Sequence, residues 1–145
     1  MILSGLPSRD GRPDDTITRV TPQPCPCGLG EPYAACCGRF HDGGQHAPTA
    51  ELLMRSRFSA FAVGDTAYLL RTWHPDTRPK RLRLDPGQEW IRLEILGRTG
   101  GGLLQAEGTV EFRAHYRHDG QADSLHENSR FSREGSQWVY LDALA

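Results

Sequence analysis

Four cysteines, the whole cysteine content of the chain, fall within thirteen residues and indicate the clearest chemistry in the sequence. Cys25 and Cys27 are one residue apart, and Cys36 and Cys37 are adjacent. Four thiolates in this spacing suit a small loop-and-turn module that folds around one tetrahedral metal ion. We therefore predict a structural zinc site, because four cysteine ligands leave no coordination position open for a catalytic water molecule.

Other states of the thiols stay open on the sequence alone. They could form two disulfides or remain free, although adjacent cysteines such as Cys36 and Cys37 bridge poorly. His41, four residues after Cys37, could replace one thiol as a ligand. We expect neither an export signal nor a membrane span in this sequence, which favours the reducing cytoplasm and a metal over disulfides.

The residues between the cysteines fit a metal-binding turn. Gly28 and Gly30 permit a tight backbone turn that brings amide groups toward the first two thiolates. Pro32 suits the start of a short helical turn that returns the last two cysteines to the metal. Arg39 is a candidate donor near the negatively charged site.

The pattern that starts at Cys25, Cys-Pro-Cys-Gly-x-Gly-x-x-Tyr-x-x-Cys-Cys, resembles the SEC-C motif of the translocation ATPase SecA. In that motif the last ligand is often His, and Cys37 stands in its place here. The resemblance implies bound zinc, a small module and docking to a protein partner. It does not imply ATPase activity, since the sequence contains no phosphate-binding loop.

Length and charge limit the remaining possibilities. A chain of 145 residues suits one compact domain with small appendages. A formal net charge of −1 argues against general nucleic-acid binding through phosphate neutralisation. We predict a flexible tail at residues 1–22, the zinc module at 23–40, a linker at 41–47 and the main domain at 48–145.

The main domain begins with helical periodicity. Thr49 is a suitable cap for a helix that ends at Gly64, and Asp65 can cap a second helix over Thr66–Trp73. The apolar stripe of the first helix consists of Leu53, Met54, Phe58 and Phe61. Arg57 shares that stripe, so it must find a carboxylate, line a polar cavity, or extend its head group to water.

After Glu89 the pattern changes to the alternation that is typical of strands. Four strands are predicted, at Trp90–Leu96, Leu103–Arg117 with a break near Gly108, Ser124–Arg133 and Trp138–Leu141. Short turns rich in glycine join them, which predicts an antiparallel meander. Helices followed by strands predict an α+β fold with the helices on one face of a curved sheet.

The second half of the chain also resembles a known family. The segments that carry this resemblance are Leu53-Met54-Arg55-Ser56-Arg57-Phe58, Thr72-Trp73-His74-Pro75, Glu127-Asn128-Ser129-Arg130-Phe131 and Gln137-Trp138-Val139-Tyr140-Leu141-Asp142. They are similar to the bacterial YchJ-like family, and the likeness extends over about Cys25 to Asp142. It implies a SEC-C motif followed by a domain of the nuclear transport factor 2-like fold, a cone of helices and curved sheet around a cavity. It implies no specific biochemical activity.

Alternation along the third strand predicts what faces this cavity. Leu125, Glu127, Ser129 and Phe131 share one face. If the apolar members point inward, the carboxylate does too. We therefore predict a buried ion pair between Arg57 and Glu127.

Two classes of function follow from these features. The first is a protein-interaction or adaptor role for a protein with a structural zinc module and an unidentified protein partner, with catalysis less favoured because no complete catalytic constellation is visible. The second is small-molecule binding, or isomerase or dehydratase chemistry, inside the cone. The candidate cavity residues are Arg57, His74, Glu127, Ser129, Trp138 and Tyr140.

Overall fold

A computed structural model describes residues 23–144 of the chain. The flexible tail predicted for residues 1–22 lies outside this range. Within residues 23–144, no helix is both long enough and apolar enough to cross a membrane.

Short helices come first in the chain. A 3₁₀ turn at Tyr33–Ala35 precedes α1 (Gly38–His41), α2 (Ala50–Val63) and α3 (Thr66–Arg71). The predicted caps of the two longer helices are confirmed. Thr49 accepts a hydrogen bond from the Leu52 amide at 3.2 Å, and Asp65 accepts one from the Tyr68 amide at 3.0 Å.

Gly64 ends α2 in the left-handed conformation, with φ of 83°. The α3 helix stops at Arg71, two residues earlier than predicted, because Thr72 and Trp73 leave the helix to meet the last strand. Trp73 forms a parallel bridge with Tyr140, and the Tyr140 amide donates to the Thr72 carbonyl at 2.8 Å.

Within residues 23–144, four antiparallel strands form one sheet in chain order, which confirms the predicted meander. Their bounds are β1 Gln88–Gly100, β2 Glu107–His118, β3 Gln121–Glu134 and β4 Gln137–Ala143. The first three strands are long for a domain of this size.

The prediction that a strand begins at Leu103 is wrong, because β2 begins at Glu107. Gly100 and Gly101 adopt φ of 57° and 77° and turn the chain out of the sheet. Gly108 then passes so close that a Cβ on it would lie 2.5 Å from the Gly101 Cα atom. The residues between therefore form a loop, whose Leu104 is 96% exposed.

The core lies between the helices and the face of the sheet that they cover, which we call the inner face. Phe58, Leu69, Phe131 and Trp138 are each at most 2% exposed. The Trp138 indole Nε1 donates to the Pro48 carbonyl at 3.1 Å, so the one polar atom of this large side chain is satisfied. Helices packed on one face of an antiparallel sheet confirm the α+β architecture.

The α2 helix is buried on two sides. Its predicted apolar stripe faces the sheet, whereas Ser59, 0% exposed, faces the segment that carries the cysteines, and the Ser56 hydroxyl contacts the Tyr68 hydroxyl of α3 at 2.7 Å. The small Ser59 side chain lets the cysteine segment approach closely. The α2 helix therefore packs against both the cysteine segment and the sheet.

Candidate functional site

The four cysteines converge as predicted. Their Sγ atoms all lie within 4.8 Å of one another, and each residue is at most 5% exposed. The Cys27 and Cys36 sulfurs are 3.5 Å apart, far from the ~2.05 Å of a disulfide and close to the about 3.8 Å that Zn–S bonds of ~2.3 Å imply in a tetrahedron. The donor set thus fits a single soft metal ion.

Local backbone geometry accounts for this convergence. Gly28 and Gly30 have φ of 86° and 91°, so the chain reverses between the two pairs of cysteines. The Cys25 amide donates to the Glu31 carbonyl at 2.9 Å, which closes the turn. The 3₁₀ turn that follows then carries Cys36 and Cys37 back to the first pair.

The thiols of the cluster have pKa values that are shifted in different directions. Hydrogen bonds from Cys27 and Cys37 hold the pKa of the Cys25 thiol far below its usual range. Those from Cys25 and Cys27, together with burial, raise the pKa of Cys37 well above it. Burial and the neighbouring thiols raise the pKa of Cys36 to about 12. Protons therefore stay on Cys36 and Cys37 unless a metal ion displaces them.

Residues 23–41, which we call the cysteine module, pack directly against α2. The Ser59 hydroxyl lies 3.4 Å from the Cys25 sulfur, and Arg55 donates through Nη1 to the Cys27 carbonyl at 2.8 Å. Arg39, the predicted donor, instead contacts the Cys36 carbonyl through Nε at 3.1 Å. Sequence periodicity missed Arg55 and Ser59, because the contact joins residues about 30 positions apart.

His41 is not part of the cluster and does not replace a thiol. Its ring lies 2.8 Å from the Ser56 carbonyl through Nε2 and contacts the Tyr33 hydroxyl through Nδ1. His41 ends α1 and is 8% exposed, so its side chain is packed. The imidazole thus joins the module to α2.

A second candidate site is a cavity of about 350 Å³ between α2 and the inner face of the sheet, which we call the cone cavity. Its volume lies in the lower part of the range that is typical of ligand pockets. Buried lining residues are Met54, Arg57, Phe58, Phe112, Ala114 and Ser129. Half-buried lining residues include Phe61, Trp73, Trp90, Glu127 and Tyr140, and Leu125 is 40% exposed. This rise in exposure shows that the cavity opens to solvent.

Arg57 lies in the cavity wall without the predicted ion pair. Its Nη1 donates to the Leu69 carbonyl and to the Thr72 hydroxyl, each at 2.8 Å. Its guanidinium carbon lies 5.1 Å from the centre of the Trp73 ring and 4.8 Å from that of Tyr140. Within residues 23–144, no carboxylate pairs with it, so the prediction of an Arg57–Glu127 ion pair is wrong.

The other candidate cavity residues divide into two groups. Glu127, Ser129 and Tyr140 line the cavity, with the Ser129 hydroxyl 3.3 Å from a Glu127 carboxylate oxygen. His74 and Trp138 do not line it. His74 lies beyond the end of α3, 3.4 Å from the Glu134 carboxylate, and Trp138 is buried in the core, where its indole donates to the Pro48 carbonyl.

Family models match both parts of the chain. A model described as "YchJ, middle NTF2-like domain" matches residues 49–143, and one described as "SEC-C motif" matches residues 22–39. These matches cover the sheet with its helices and the four cysteines, respectively.

Individual proteins are similar over most of the chain. A UPF0225 protein of Streptomyces coelicolor is 60% identical over 119 residues, which cover 82% of this chain and 93% of that protein. A UPF0225 protein of Deinococcus radiodurans is 49% identical over 123 residues, covering 83% and 88%.

Two solved structures have the same fold. The solution structure of a SEC-C motif containing protein from Rhodopseudomonas palustris aligns with a TM-score of 0.74 at 32% identity, covering 85% of this chain and 98% of that one. The crystal structure of a SEC-C motif containing protein from Psychrobacter arcticus aligns with a TM-score of 0.67 at 30% identity, covering 83% and 81%.

Proposed function

Since this chain belongs to the YchJ-like, UPF0225 family, we propose that it is a zinc-binding protein. Its zinc ion would be structural, with no reaction at the metal. The protein itself would act by binding another molecule. The observation that carries this proposal is the set of four buried sulfurs within 4.8 Å of one another. Four thiolates complete a tetrahedral zinc shell and leave no position for water or substrate.

The contacts of the module explain what such a zinc ion would do. Cys25, Cys27 and His41 each contact α2, through Ser59, Arg55 and the Ser56 carbonyl. Zinc would fix the backbone of the module, and the module in turn would cover the polar side of α2. The metal would thereby stabilise the helix that forms one wall of the cone cavity.

Metal analysis of the purified protein tests this proposal. We expect one zinc ion per chain by plasma mass spectrometry, and near-complete loss of zinc in Cys36→Ser. Ser59→Ala is the matched control, because it removes a contact to the Cys25 sulfur but no ligand, and it should keep the zinc. Absence of zinc from the wild type, or its retention at full affinity in Cys36→Ser, would contradict the proposal.

The thiols also bear on location. Four unbridged cysteines suit a reducing compartment, so we propose that the protein works in the cytoplasm. Cell fractionation that recovers it mainly outside the cytoplasm would contradict this location.

A second candidate function is docking to a protein partner through the tip of the module. The thiols face inward, whereas the turn from Gly28 to Pro32 is exposed, with Leu29 at 45%. An apolar side chain held on a rigid metal-bound turn is suited to enter a pocket on a partner.

Site-specific photocrosslinking in cells tests this docking role. A crosslinker at Leu29 should give a defined protein adduct that disappears when Cys36→Ser is introduced. A crosslinker at Ala122, exposed on the distant β2-β3 hairpin, is the control. Equal adducts from both positions, or none from Leu29, would contradict docking through this turn.

A further inference from the structure

The cone cavity holds a buried positive charge that has no negative partner within residues 23–144. Arg57 is 4% exposed, yet within residues 23–144 its hydrogen bonds go to neutral oxygens, the Leu69 carbonyl and the Thr72 hydroxyl. Both bonds use Nη1. Within the same residues, Nε and Nη2 have no hydrogen-bond partner, so part of a donor group suited to bidentate carboxylate binding is free.

Burial makes this arrangement costly. It lowers the pKa of Arg57 to about 10, which still leaves the guanidinium charged at neutral pH. The rings of Trp73 and Tyr140 offset part of the cost through cation–π contacts. An anion in the cavity would offset more, because a hydrogen bond between two charged groups is stronger than one between neutral groups.

Trp73 adds a second unsatisfied donor to the same wall. Its buried indole Nε1 has no hydrogen-bond partner among residues 23–144. Most buried donors in proteins are paired, so such a group indicates an acceptor that residues 23–144 do not supply. The unpaired donors of Arg57 favour a ligand that carries acceptor oxygens.

Another part of the cavity lining is aromatic. Trp90 lies 6.1 Å from Phe58 and 5.7 Å from Phe61 between ring centres, in edge-to-face and tilted arrangements. All three residues line the cavity. Such a wall suits a planar apolar group, since aromatic rings prefer tilted or offset contacts with one another.

Glu127 limits the charge of the occupant. Its half-buried carboxylate also lines the cavity, and the Ser129 hydroxyl donates to it at 3.3 Å. A second negative charge on a ligand would be repelled by this group. Among the described residues, the lining therefore combines the Arg57 cation, an aromatic wall and a nearby carboxylate.

We propose that the cone cavity binds a small monoanionic aromatic carboxylate, with its carboxylate on the Arg57 guanidinium and its ring against Phe58, Phe61 and Trp90. This site is separate from the zinc centre, so its failure would leave the zinc proposal standing. No bond is made or broken in this step, which is binding alone.

Titration of the zinc-loaded protein with phenylacetate, followed by proton–nitrogen NMR, tests the proposal. The chain has three tryptophans, Trp73 and Trp90 in the cavity wall and Trp138 outside it. We expect saturable shifts of the Trp73 and Trp90 indole signals, with the Trp138 signal unchanged as an internal control. The neutral isostere phenylacetamide should bind at least about tenfold more weakly, because it lacks the charge-assisted bond.

Variants separate the role of Arg57 from a purely structural one. Arg57→Gln should remove the preference for the acid over the amide. Glu127→Gln should instead strengthen phenylacetate binding, since it removes a like charge while changing little in shape. This second variant leaves every contact of Arg57 in place, so it remains informative if Arg57→Gln does not fold.

Several results would overturn the proposal. These are no indole shift at millimolar phenylacetate, equal affinity for acid and amide in the wild type, equal shifts at all three tryptophans, or unchanged binding in Glu127→Gln.

Discussion

The cysteine module and the cone cavity lie on opposite sides of α2 and differ in how their polar groups are hydrogen-bonded. In the module the thiols, the His41 ring and the nearby carbonyls satisfy one another, and all four sulfurs are buried. In the cavity, which opens to solvent, Arg57 keeps donors that have no partner within residues 23–144. A network in which every polar group has a hydrogen-bond partner is typical of a structural element. A network with unpaired polar groups is typical of a binding site.

The sequence of α2 accounts for this difference. Toward the module it presents Ser59 and the Ser56 carbonyl, and the small Ser59 side chain permits close packing. Toward the cavity it presents Arg57, Phe58 and Phe61, which are large and surround a space. The proposed zinc site would therefore stabilise the cavity wall without contacting a ligand.

Removal of the metal should have the largest effect and should separate the two regions. We expect a chelator to abolish hydrogen-exchange protection in residues 25–41 and to lower the free energy of unfolding by about 3 kcal/mol or more, roughly 10 °C in Tm. Amides of β2 and β3 should stay protected, since the sheet and helices have their own core. Simultaneous loss of protection in both regions, or no loss in either, would contradict the division.

Enlarging the side of α2 that faces the module should come next. Ser59→Leu places a large side chain at a position that is 0% exposed and 3.4 Å from the Cys25 sulfur. We expect a loss of about 1–3 kcal/mol in chemical denaturation, from overpacking. Val63→Leu, at a 51% exposed position of the same helix, is the control and should change stability little. Equal effects of the two substitutions would show that α2 does not pack tightly on the module.

Loss of one polar contact between helix and module should have a smaller effect. Arg55 and Arg98 both pair with Glu51, but only Arg55 also donates to the Cys27 carbonyl. We expect Arg55→Ala to cost about 1 kcal/mol and to speed zinc loss to a chelator, because a partly buried carbonyl is left unpaired. Arg98→Ala removes an exposed pair and should cost roughly 0.5 kcal/mol or less. The reverse order would contradict this role of Arg55.

The smallest expected effect is the pH dependence of the contact between His118, at the end of β2, and Asp85. His118 donates to Asp85 at 2.8 Å, and this bond raises the pKa of His118. The Gly87 amide first, and His118 second, lower the pKa of Asp85. Stabilisation through His118 is therefore full below its ordinary pKa of about 6.5 and disappears as pH rises through the raised value. That through Asp85 is lost as pH falls through its lowered pKa.

Titration of the histidine signals by NMR measures this pair. Asp85→Asn should return the pKa of His118 toward its ordinary range, while Asp76→Asn, at a distant exposed carboxylate, should leave it raised. An unchanged His118 titration in Asp85→Asn would contradict the assigned cause. Zinc content should be the same in both variants, since neither residue lies near the cysteines.

Local signals in the sequence predicted much of this molecule. The spacing of the cysteines predicted their cluster, the caps at Thr49 and Asp65 predicted the start of both main helices, and alternation predicted the inner face of β3. Each of these features depends on residues close together in the chain. The SEC-C and YchJ-like resemblances predicted that the cysteine module precedes the domain that contains the sheet.

Features that depend on distant contacts were missed. Periodicity placed Arg57 on a buried stripe but could not show that the Leu69 carbonyl and Thr72 hydroxyl, and no carboxylate, receive its hydrogen bonds. Burial of Ser59 was also missed, because a serine on a helix is usually exposed and here only the folded module covers it.

The X-ray absorption spectrum of the purified protein at the zinc edge tests the central claim most directly, since it counts the atoms bound to the metal. A closed structural site predicts four sulfur atoms at about 2.3 Å and no nitrogen or oxygen neighbour. A shell of three sulfurs with a nitrogen or oxygen atom at about 2.0–2.1 Å would show a histidine or water ligand and would contradict the account.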